Sequence, residues 1–126
     1  MRPLDPFDLP DWLGVAEVTW RAHDGLRTGA LVTGVLEAAD VEPVPCDLLA
    51  VDEAYPEPVA DDDLRHLAHQ AWRYGEVLLV TLDDRMTLAV PGTSFTADLV
   101  LDALARFAKA VGARPESFSV LLRLGG

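Results

Sequence analysis

The stretch DDDLRHLAHQAWRYGEVLLVTLDDRMTLAV, residues 61–90, decides the fold class. Asp61 is a good N-cap, and Asp62 and Asp63 place negative charge in the first turn, where the helix dipole favours it. Leu64, Leu67, Ala68, Ala71 and Trp72 share one stripe at helical spacing, and Gly75 follows as a stop. Glu76 to Leu82 comes next without a break and reads as a buried central strand. Asp83-Asp84-Arg85 turns the chain, and Met86 to Val90 returns until Pro91-Gly92. A helix followed at once by a hairpin predicts an α+β fold.

Upstream, Val15 to Ala22 alternates: Ala16, Val18, Trp20 and Ala22 face one way, Glu17, Thr19 and Arg21 the other. That is a half-buried strand. His23-Asp24-Gly25 is turn chemistry. Thr28 to Ala38 returns as a second strand, with Gly29 and Gly34 marking bulges or close backbone approaches. Cys46 to Asp52 is a third strand after a loop at Asp40 to Pro45. Downstream, Thr96 caps a second helix over Ala97 to Val111, which Gly112 ends. Ser117 to Leu124 alternates and is the last strand. The predicted order is βββ-α-ββ-α-β: a mostly antiparallel sheet of about six strands with both helices on one face. One domain is expected over residues 1–126, with residues 1–14 as a proline-rich extended arm, since Pro3, Pro6 and Pro10 oppose a helix there.

Composition narrows the function classes. A chain of 126 residues and 13.7 kDa buries about two-thirds of its surface on folding, enough for a core without staples. Half the residues are apolar and mean hydropathy is +0.17, which excludes global disorder. No apolar run reaches the ~18 residues of a membrane span, and the opening Met1-Arg2-Pro3-Leu4-Asp5-Pro6 is not a secretory leader. Net charge is −11, from 21 acids against 10 bases. Residues 1–63 hold 15 acids and 3 bases (−12), whereas residues 64–126 hold 6 acids and 7 bases (+1). Nucleic acid and anionic membrane are therefore not expected as partners, because both need Lys and Arg to displace counterions. The single Cys46 points to a reducing, cytoplasmic compartment.

The absence of Asn and Ile, the nine arginines against one lysine, and the opening Pro3-Leu4-Asp5-Pro6-Phe7-Asp8-Leu9-Pro10-Asp11-Trp12-Leu13-Gly14 fit a GC-rich genome. In this style the chain resembles small acidic proteins of high-GC actinobacteria that carry no assigned activity, so the resemblance implies no function. The element order is similar to that of small acidic secretion-chaperone-like domains. Those open with a helix, where this chain opens with the arm.

Four side chains make the best chemical constellation. Asp62, His66, His69 and Arg73 lie near 160°, 200°, 140° and 180° on a wheel of ~100° per residue with Leu64 at zero, opposite the apolar stripe. They are able to hold an anionic ligand. Two histidines fall short of the three or four ligands zinc needs, so no metal and no cofactor are expected. The blander reading is a solvated face in which Asp62 supports His66 and His69 sits beside Arg73. Cys46 is a less favoured nucleophile, because the helical phase points His66 away from its strand. Pro91-Gly92-Thr93-Ser94 before a helix is a faint anion-site signal. Trp20 and Trp72 fall on core faces, whereas Trp12 and Tyr55 lie in loops and are the choice for partner contact. We expect a non-enzymatic, acidic accessory domain that binds a protein partner or itself as a homodimer. The alternative is a small-ligand binder or enzyme using Asp62, His66, His69 and Arg73, with Cys46 in reserve.

Overall fold

A computed structural model describes residues 2–23, 30–52 and 60–121. Its elements are β1 (Arg2–Pro3), β2 (Val18–Ala22), β3 (Leu31–Val32), β4 (Gly34–Glu37), β5 (Val44–Ala50), α1 (Asp62–Arg73), β6 (Leu78–Leu82), β7 (Arg85–Val90), α2 (Ala97–Ala110) and β8 (Phe118–Leu121). The strands form one sheet in the order β1-β6-β7-β5-β4-β2-β8, with β3 also beside β5. Two pairings, β5–β7 and β2–β8, are parallel, and the others among the described residues are antiparallel.

This is the expected α+β fold with two more strands than predicted. One comes from the arm. The other arises because the second predicted strand is interrupted at Thr33. Leu31 faces Leu49 and Val35 faces Pro45 in a single register, so β3 and β4 are one strand with a break. The arm is less extended than expected. Pro6 and Asp11 begin 3-10 turns over Pro6–Asp8 and Asp11–Gly14, since proline suits the first turn of a helix as well as an extended chain. The β6–β7 turn has positive φ at both Asp83 (53°) and Asp84 (61°), the two-residue geometry that matches strand twist.

The helices lie on opposite faces, which corrects the expectation of one face. Val100, Ala103, Leu104 and Phe107 of α2 join Trp20, Leu36, Leu48 and Leu88 in the larger core. Leu64 and Ala68 of α1 instead pack with Leu49, Val51, Val80 and Ala89, the residues that alternate to the other side. Strand β5 is apolar on both sides because both sides are covered. Nor is β6 central: only the two residues of β1 lie beyond it. The turn expected at His23-Asp24-Gly25 falls largely outside the described residues.

Candidate functional site

Parallel strands β5 and β7 lie side by side, yet the chain continues from β5 to α1 on one face and from β7 to α2 on the other. In open sheets such divergence marks the usual ligand position, beyond the carboxyl ends of the strands. Asp52 and Gly92 stand there. The Asp52 amide donates to Gly92 O at 3.0 Å, and the Gly92 amide donates to Asp52 Oδ2 at 2.9 Å. Gly92 has φ +127°, a conformation that L side chains rarely adopt.

His69 completes the cluster from α1. Its Nε2 lies 3.0 Å from Oδ1 and 3.1 Å from Oδ2 of Asp52. A carboxylate only accepts, so Nε2 carries the proton and Nδ1 is the ring nitrogen left for other partners. Burial pushes the Asp52 carboxyl up, but the bonds from His69 and Gly92 and the charges of His69 and Arg65 outweigh it. The net result lies below the ordinary value of 3.8.

The outer face of α1 divides the predicted constellation. His66, His69 and Arg73 line a hollow of about 100 Å³ together with Gln70 and Tyr74. Asp62 does not join them; it pairs with Arg65 in the first turn. The expected support of His66 by Asp62 is thus replaced by that local ion pair. The carboxylate that matters is Asp52, from another element. Among the described residues no group of three or more His, Cys, Asp or Glu side chains is placed to hold a metal.

Cys46 is fully buried in the larger core. Burial, reinforced by the Asp47 charge and only partly opposed by Arg85, pushes its thiol far above the usual range. A thiolate nucleophile is not formed in that setting. Asp47 next to it was not singled out from the sequence, although an acid inside an apolar strand is the signal that was available. Its buried carboxylate accepts from Gly34 N at 3.1 Å and from Arg85 Nε and Nη2 at 2.8 and 2.9 Å, while Arg85 Nη2 also donates to Gly34 O at 3.1 Å. The pair seals the break between β3 and β4, where strand pairing is lost. Gly34 is required there, because a Cβ would stand 2.6 Å from the Trp20 indole.

The larger cavities lie along the arm. One of about 460 Å³ opens between Leu4 and Pro6, the end of α1, the start of β6 and Arg106 of α2. A second of about 370 Å³ shares Pro6, Lys109 and Ala110 with it and runs along Phe7 to Asp11. Arg106 shapes the first. Its guanidinium lies 3.5 Å from the Trp72 ring centre and donates to Trp72 O and Glu76 O.

Phe7 is 94% exposed on the rim, and Tyr74 is 71% exposed at the other end. The arm forces this. Leu4 and Leu9 pack inward, Asp5 Oδ1 accepts from Phe7 N at 2.9 Å, and the tight turn leaves Phe7 pointing out. Trp12, expected at a partner surface, is half-buried against the core instead. Tyr55 lies outside the described residues.

Comparison with protein-family models, with curated proteins and with solved structures gives no significant match.

Proposed function

We propose that the protein is a non-enzymatic binding module whose N-terminal arm and adjoining groove take a basic, partly apolar segment of another protein. The observation that carries this reading is Phe7, a large apolar side chain held almost fully in solvent beside two adjoining cavities of about 460 and 370 Å³. An exposed aromatic flanked by well-ordered clefts is the usual anchor of a protein contact. Charge sets the partner's chemistry. Asp5, Asp8 and Asp11 are exposed around Phe7, outnumbering Lys109 and Arg106 of the adjoining cavities. A cationic segment is attracted to that surface. A second copy brings the same carboxylates and is disfavoured, and the acid excess likewise opposes nucleic acid and anionic membrane. No helix among the described residues is long and apolar enough to cross a membrane. A cytoplasmic setting belongs to the same proposal, supported by the lone Cys46.

The test is a library of short synthetic peptides that differ only in net charge and in one apolar anchor, measured by fluorescence polarisation against the full chain. Cationic peptides with an anchor should bind and lose affinity as salt rises. Burying a phenylalanine is worth roughly 1.5–3 kcal/mol, so Phe7→Ala should weaken binding by about 10- to 100-fold while leaving the urea midpoint unchanged. Equal affinity for Phe7→Ala and the parent chain refutes the assignment.

A further inference from the structure

The hollow on α1 has a chemistry unlike the rest of this acidic surface. Of its lining residues, His66, Gln70, Arg73 and Tyr74 carry side-chain donors outside the His69–Asp52 pair, and none of the lining residues is a carboxylate. The acids of α1 stand at its other end, where the N-cap Asp61 accepts from Leu64 N, Asp62 pairs with Arg65 and Asp63 lies in the first turn. Arg73 has no carboxylate partner among the described residues. His69 donates through Nε2 to Asp52, so its remaining Nδ1 is an acceptor and the ring lines the hollow without donating into it.

From this donor set we infer that the hollow is a site for a small oxyanion, a phosphate or a carboxylate. Arg73 offers a planar fork that matches either group in a bidentate pair. His69 sits one helical turn from Arg73 on the same side, and His66 one turn beyond His69, each step at the spacing that brings side chains into contact. The dipole at the C-terminal end of α1 opposes an anion, and the guanidinium of Arg73, a full charge against the dipole's partial one, opposes that effect. Size limits the ligand. At about 100 Å³ the hollow holds the volume of roughly three waters, well below the ~300 Å³ of a typical organic-ligand pocket. A nucleotide or sugar is therefore excluded as a fully enclosed guest. The site is independent of the arm except for Tyr74, which lines both the hollow and the groove.

The experiment is an NMR titration of the full chain with inorganic phosphate and, separately, with acetate, using sodium chloride at matched ionic strength as reference. Saturable shifts confined to amides 66–74 and to the His66 and His69 rings are expected with at least one oxyanion, and a preference between the two identifies the source. Arg73→Gln should weaken binding about tenfold, and His66→Gln should weaken it less. Phe7→Ala should leave it unchanged, which separates this site from the peptide groove. Shifts that merely follow ionic strength, or undiminished binding by Arg73→Gln, overturn the inference.

Discussion

Replacing Asp47 with alanine is expected to cost about 2–4 kcal/mol of folding stability. The carboxylate receives three hydrogen bonds, one from Gly34 N and two from Arg85, and is almost fully buried. Without it the buried Gly34 amide loses its partner, which costs about 1–3 kcal/mol. Arg85 loses its ion pair but is about a third exposed (32%) and keeps its bond to Gly34 O, so water compensates part of that loss. The ~3–5 kcal/mol of breaking a fully buried pair is thus an upper bound. For a chain of this length the change corresponds to roughly 6–16 °C in Tm. Urea unfolding followed by tryptophan emission reads it directly, with an unchanged slope confirming that only stability moved. Asp47→Asn, which can still accept from Gly34 N, should lose about half as much. If Asp47→Ala unfolds within about 0.5 kcal/mol of the parent, water satisfies Gly34 and Arg85 equally well, and the seal at the strand break is not a stabilising device.

Gly34→Ala should also destabilise by about 1–3 kcal/mol, because the added Cβ meets the buried Trp20 indole at 2.6–2.7 Å; an unchanged urea midpoint contradicts this. Cys46 should resist a disulfide reagent in the folded protein and react when urea unfolds it; stoichiometric reaction of the native state within minutes opposes the burial argument. Asp52 has a folded pKa below its unfolded value of 3.8, so the unfolded chain binds more protons in that window. Its contribution is present in full above that value and is lost as pH falls through the folded pKa. The stability advantage over Asp52→Asn should therefore hold at neutral pH and shrink below about pH 4, whereas a constant gap across pH 2–7 speaks against the pairing with His69.

Much of the fold is legible because its local chemistry is strong. Asp61 and Thr96 cap the two helices as their spacing to Leu64 and Leu99 predicts, and Asp83-Asp84 makes the hairpin. The faces of the helices were misjudged, although β5 held the clue. Cys46, Leu48 and Ala50 are apolar on one side and Leu49 and Val51 on the other, the mark of a strand covered twice. The candidate site was half visible. His66, His69 and Arg73 share a helical face by spacing alone, but Asp52 meets His69 across 17 residues of chain. Only the packing of α1 on the sheet sets that distance. From the sequence Trp12, an aromatic in a loop, is the choice for partner contact, whereas the structure exposes Phe7 and half-buries Trp12. Which one points inward depends on Leu4 and Leu9 seating the arm.

The claim at the centre is that the arm meets a cationic partner through Phe7, and a photo-crosslinking phenylalanine placed at position 7 of the full chain in its native cells tests it most directly. The expected result is one dominant adduct to a basic segment of another protein, diminished when Asp8 and Asp11 are both changed to Asn and absent when the crosslinker sits at the exposed Thr93 instead. Adducts only between copies of this chain, adducts indifferent to the two carboxylates, or none at all contradict it.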